Sequence, residues 1–215
     1  MRDELRWESA GVKAQPIPVI TPVSYGIVEY TALRNFIFQA LYTPSETFAP
    51  LAEALAELAR GNATTIYVST EAPLFASTAI TCGDATPEND TVAQLQAFYA
   101  REARVSSFSD LWSNWRVGCS GWELHRADRF KGATVWGREH ELSASVIGNT
   151  ADHVTAIWGA KATAEAFPGS VLLTIDSPGH TSFGAPSTCA HEFPRGDVAG
   201  GGHCVPAGRG VVPRG

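Results

Sequence analysis

Two stretches decide the fold: Ser143-Ala144-Ser145-Val146-Ile147-Gly148-Asn149-Thr150-Ala151-Asp152 and Val171-Leu172-Leu173-Thr174-Ile175-Asp176-Ser177-Pro178-Gly179-His180. Ser143–Ile147 reads as a short strand ending in Gly148. Between the two stretches, Ile157, Trp158, the Lys161 stem, Ala164 and Phe167 are spaced for one helix face over Val154–Phe167, and Pro168-Gly169 stops the helix. Val171–Ile175 is a continuous apolar run, the kind covered on both faces of a parallel sheet. Strand, crossover helix and strand within roughly thirty residues make a βαβ unit.

In an open sheet of this kind, ligands bind beyond the carboxyl ends of the strands. Asp152 follows the first strand and His180 follows the second. Parallel strands send both following turns to one edge of the sheet, where a carboxylate and an imidazole can meet. The carboxylate would accept one ring N–H and fix the tautomer, leaving the other nitrogen to take a proton from a nucleophile. Asp before His, at successive strand ends, is the order that α/β-hydrolases use after their serine.

Working outward, Pro16, Pro18 and Pro22 break any helix begun in Arg2–Val12. Leu33, Phe36, Ile37, Ala40 and Leu41 form one helical face with Thr31 as its cap, and Pro44 closes it. A second helix has Pro50 in its first turn, Leu51, Leu55 and Leu58 on one side, and Gly61 just past its end. Thr64–Ser69 is β-branched and reads as extended. Thr91 with Gln94 is a capping box that opens a third helix, with Val92, Leu95 and Tyr99 as its buried stripe. Trp112, Trp115 and Trp122 read as core packing. The expected organisation is a mostly helical region over 1–130, an α/β segment over 131–194, and a Gly- and Arg-rich loop or tail over 195–215.

The chain has 215 residues, 44% hydrophobic and 18% charged, with a net charge of −6. No basic run and no stretch of eighteen apolar residues occurs, which argues against nucleic-acid and membrane partners. No apolar segment follows the charged Met1–Arg6, so no signal peptide is expected within the chain. Yet Cys82, Cys119, Cys189 and Cys204 are an even set, and Asn62 and Asn89 head glycosylation sequons. Four cysteines allow three pairings. Cys189, His191, His203 and Cys204 hold the donor types of a zinc site, but not its spacing, so no metal or other cofactor is expected. His125 and His140 read as solvent-facing or satisfied.

Ile147-Gly148-Asn149-Thr150-Ala151-Asp152-His153-Val154-Thr155 resembles the GNTADPVTP segment of the tripeptidyl-aminopeptidase-like α/β-hydrolases. Phe167–His180 resembles their FPGS…DSPGH, and the likeness continues through Ala185-Pro186-Ser187-Thr188-Cys189. Looser likeness reaches back to residue 14, through Tyr25-Gly26, Ala40-Leu41-Tyr42, Cys82-Gly83-Asp84, Trp112 and Cys119. The resemblance implies a partial α/β-hydrolase fold, made of a helical cap and the last βαβ of the sheet. It implies a secreted serine hydrolase that cleaves peptide or ester substrates, peptides from a free N-terminus, with Asp152 and His180 catalytic. It favours Cys82 with Cys119 and Cys189 with Cys204. The pattern has Pro where this chain has His153, and no Gly-x-Ser-x-Gly occurs in the 215 residues.

Ser24, in Pro22-Val23-Ser24-Tyr25-Gly26, precedes Asp152 and His180 as a nucleophile should. Pro22, however, stands where the elbow needs a small residue, and Pro16-Ile17-Pro18-Val19 is poor material for a central strand. Ser24 is therefore not expected to be the nucleophile, and the chain alone is expected to be inactive and prone to aggregate through uncovered sheet edges. The alternatives are a degenerate hydrolase fold kept for binding, or a truncated gene product.

Overall fold

The computed structural model describes residues 11–70, 75–125, 127–128, 145–167, 169–184, 187–192 and 202–204. Contacts divide the chain into two units, one of residues 1–38 and 54–131, the other of residues 39–53 and 132–215.

In the first unit, β1 (Ile17–Ile20) and β2 (Tyr25–Val28) form an antiparallel hairpin with Ile17 opposite Val28. Two strands leave room for Pro18, which a central strand would not. Val19 and Val28 are buried. The first helix, α1 (Tyr30–Ala40), buries Leu33, Ile37 and Ala40 as its spacing requires. Thr31 lies inside it and is not its cap, because the Glu29 carbonyl already accepts the first helical bond, from Leu33 N–H.

The second helix, α2 (Pro44–Ala59), starts six residues before Pro50, which lies inside it. Pro44, expected only to end the first helix, takes the first helical position, where a missing N–H costs nothing. The Thr43 carbonyl behind it accepts from the N–H groups of Glu46 and Thr47.

Thr64–Ser69 is helical (α3), not extended. Ala63 and Ile66, three apart, are buried, and the Asn62 side-chain oxygen accepts the Thr64 N–H at 3.1 Å. β-Branched residues lose only a fraction of a kcal/mol each in a helix, so burial of one apolar face decides the conformation. Helices α4 (Phe75–Asp84), α5 (Val92–Glu102) and α6 (Ser109–Cys119) follow, and a Cys82–Cys119 disulfide joins α4 to α6. The capping box of α5 is formed by Thr91 and Gln94. Its apolar stripe is not buried: Val92 is 71% exposed and Tyr99 47% exposed. That face lines an open groove of about 440 Å³ shared with Tyr30, Asp110 and Val117. The tryptophans are likewise only partly covered, with Trp112 edge-on to Phe38 at 5.8 Å.

The second unit holds a parallel sheet in the order β3 (Ser145–Ala151), β4 (Val171–Pro178), β5 (Gly202–Cys204), with α7 (Ile157–Ala166) crossing between β3 and β4. Ile147 faces Leu173 across the first pair, and Ile175 faces Cys204 across the second. Leu173, Ile175 and Ala190 are buried, the last from α8 (Thr188–Glu192), with Ile147, Val171 and Cys189 packed around them. A Cβ on Gly148 would stand 2.7 Å from Ala160 Cβ and Ile157 Cδ1, so glycine sets how closely α7 approaches β3. Trp158, expected on the buried face of α7, is 75% exposed. The helix starts at Ile157 rather than Val154, and it approaches β3 through Ile157 and Ala160, the residues that meet Gly148. Gly202–Cys204 corrects the reading of 195–215 as loop: main-chain pairing to β4 makes it a strand, and side-chain periodicity carries no trace of that.

Candidate active site

Asp152 leaves the last residue of β3, and His180 lies two residues beyond the end of β4. The side chains meet. His180 Nδ1 lies 3.0 Å from Asp152 Oδ2 and 3.2 Å from Oδ1. The remaining capacity of the carboxylate is filled by donors from both turns. Val154 N–H and Thr155 N–H donate to Oδ1 at 2.8 and 2.9 Å, and the Thr155 hydroxyl and Thr181 N–H donate to Oδ2 at 2.8 and 3.2 Å. The carboxylate side chain is 2% exposed and the imidazole 24%. A buried anion therefore carries a base that solvent can reach.

Burial pushes the Asp152 carboxyl up, but the donated bonds of Thr155, Val154 and Thr181 outweigh it and hold the group below the usual carboxylate range. Asp152 is thus a fixed negative charge at neutral pH. In the tautomer whose Nδ1–H donates to this carboxylate, Nε2 is the proton acceptor of the ring.

The His180 turn is built from unusual backbone. Gly179 has φ +104° and Thr181 φ +62°. A Cβ on Gly179 would be 2.9 Å from Tyr42 O, Pro44 Cδ and Gly184 Cα, so only glycine fits there. The Tyr42 carbonyl accepts the His180 N–H at 2.8 Å. The Tyr42 ring stands edge-on to both His180 and His153, each at 5.0 Å. Burial, then the Asp152 charge, raises the Tyr42 phenol above its ordinary value and keeps it neutral. Tyr42, Asn149, Thr155 and Thr181 escaped sequence reasoning as site residues. The cue for Asn149 is an amide inside a strand that is otherwise apolar or small, and nothing in the spacing marks Tyr42.

Ser24 lies in the β1–β2 hairpin turn of the first unit. Its N–H donates to Thr21 Oγ1 at 2.9 Å, and its hydroxyl is 3.0 Å from that same oxygen. This is a turn between two strands, not the strand-to-helix turn of a nucleophile elbow. Among the described residues no cluster of three His, Cys, Asp or Glu side chains could hold a metal. Cys189 is disulfide-bonded and so offers no thiolate; the side chains of His191, His203 and Cys204 lie outside the described residues, as does His140. His125 is held between the Gly83 and Trp122 carbonyls at 3.2 and 2.8 Å. Asn62 and Asn89 are exposed. No described helix is long and apolar enough to cross a membrane.

The TAP-like protein family matches residues 103–195. The chain carries a TAP-like α/β-hydrolase region. No curated protein and no solved structure matches the chain. The TAP-like region takes in α6, β3, α7, β4 and α8, and with them Asp152 and His180. The looser likeness over residues 14–102 falls outside it.

Proposed function

We propose that the TAP-like region supplies the orienting carboxylate and the general base of a serine hydrolase acting on peptide or ester bonds. The observation that carries this reading is the 3.0 Å contact between His180 Nδ1 and a buried Asp152 whose oxygens are otherwise saturated. Asp152 holds the imidazole in one tautomer and stabilises its charged form. His180 Nε2 takes the proton of a serine hydroxyl as that oxygen attacks the carbonyl, then returns it to the departing amine or alcohol. The serine comes from polypeptide other than these 215 residues, which contain no Gly-x-Ser-x-Gly. Cleavage from a free N-terminus, secretion, and glycosylation at Asn62 and Asn89 belong to the same reading. The Cys82–Cys119 disulfide and the exposure of both asparagines are consistent with an oxidising compartment.

Fluorophosphonate labelling tests it. The 215-residue chain alone is expected to stay unlabelled. When the chain is joined to polypeptide carrying a Gly-x-Ser-x-Gly elbow encoded in frame beside it, labelling is expected at that serine. His180→Ala should then reduce the labelling rate by about three orders of magnitude or more, and Asp152→Asn by about the same. Labelling of Ser24, or labelling indifferent to His180, would refute the proposal.

A further inference from the structure

The His180 turn is held from inside the sheet by one side chain. Asn149 lies in β3 beside Ile175 and is 1% exposed. Its Nδ2 donates to the Gly179 carbonyl at 2.9 Å and to the Thr181 carbonyl at 2.7 Å, the carbonyls of the residues immediately before and after His180. Both amide hydrogens are used, while Oδ1 is buried without a hydrogen-bond partner. Leaving a buried oxygen unpaired is unfavourable. An amide that tolerates this is present for its donors.

The bonded carbonyls belong to the two residues with positive φ, Gly179 and Thr181. A non-glycine residue leaves that region when nothing holds it. Of the other bonds at the turn, Gly179 N–H to Ala151 O is long at 3.3 Å, and His180 N–H to Tyr42 O fixes only one peptide. Gly184 N–H to Thr181 O at 3.1 Å closes the far side of the turn without tying it to the sheet. The Thr181 N–H that reaches Asp152 Oδ2 belongs to the same strained residue.

We infer that Asn149 is a positioning residue: by bridging the carbonyls on either side of His180 it fixes the turn in which the imidazole meets Asp152. The hydrogen bonds of the Asn149 side chain go to these two carbonyls and not to the imidazole. Its consequence for catalysis rests on the general-base reading above; the clasp itself does not.

Nuclear magnetic resonance tests the clasp without any activity, on the 215-residue chain or, if that chain aggregates, on the joined polypeptide described above. In the wild type the Asn149 side-chain amide protons should exchange with water far more slowly than those of exposed Asn62 and Asn89. The His180 Nδ1 proton should appear far downfield, as expected for a hydrogen bond to a carboxylate. Asn149→Leu and Asn149→Asp remove the donors at similar size. In either variant, exchange of the His180 Nδ1 proton and the Thr181 amide should quicken by about tenfold or more, with the Leu173 and Ile175 amides unchanged. Unchanged exchange in a folded variant overturns the inference. If neither variant folds, the wild-type amide decides: slow exchange of the Asn149 protons supports the clasp, and exchange as fast as at Asn62 overturns it. A clasp found in a chain whose joined form is never labelled sinks the hydrolase reading alone. Labelling that depends on His180, with exchange at the turn indifferent to Asn149, sinks the inference alone.

Discussion

The two units tie their elements together in different ways. In the first, side chain meets side chain: a partly exposed Arg116 takes Asp90 through two nitrogens at 2.7 and 3.0 Å and also pairs with Glu88, while a disulfide links α4 to α6. In the second, buried side chains grip the main chain: Asn149 holds two carbonyls, and Asp152 holds three N–H groups. Long side chains let helices settle with some tolerance. Bonds from a buried carboxylate or amide to peptide groups select one backbone path, which a proton-transferring pair requires.

The largest effect that would sharpen this contrast is loss of the disulfide. Cys82→Ser with Cys119→Ser frees a loop whose ends lie 37 residues apart, which corresponds to about 3–4 kcal/mol of chain entropy. Hydrogen exchange should show α4 and α6 losing protection while β3 and β4 keep theirs. Loss spread equally over both units would break the comparison. Next comes Gly148→Val. Its side chain meets Ala160 and Ile157 of α7, and such overpacking costs about 1–3 kcal/mol. Denaturant unfolding should show a lower midpoint, with the damage confined to the second unit.

The smallest effects are electrostatic. Asp90 and Asp152 both sit below the ordinary carboxylate range, Asp90 mainly through its bond from Arg116, Asp152 through peptide donors that outweigh burial. For a depressed acid, the stabilisation is fully present above the unfolded pKa, about 4, and is lost as pH falls through the folded value. Acid titration should therefore weaken both units only below about pH 4. Added salt should diminish the Asp90 contribution, because Arg116 is partly exposed, and leave that of Asp152 nearly untouched. Equal salt sensitivity would count against the distinction.

The sequence made the second unit legible because a continuous apolar strand, a helix with one spaced face and a Pro-Gly stop each leave a periodic mark. Asp152 and His180 could be placed on one edge from strand direction alone. The first unit was harder. Thr64–Ser69 has strand-forming residues that burial of Ala63 and Ile66 makes helical, and the α5 stripe borders a groove that periodicity cannot distinguish from a core. The bond from the His180 peptide to the Tyr42 carbonyl and the pairing of β5 were invisible because both run through main-chain atoms, which carry no residue-type signal. Asn149 was visible as a polar residue in a strand, but the carbonyls it bridges belong to a turn whose positive φ values only coordinates reveal.

One bond described above also bears on time. The peptide of His180 is anchored to the carbonyl of Tyr42, so the late turn rests on a loop from the first quarter of the chain. Contacts between such distant segments form slowly, after local helices and neighbouring strands. A newly made chain would hold its sheet before its imidazole is seated, and the contact between His180 and Asp152 would be one of the last to form.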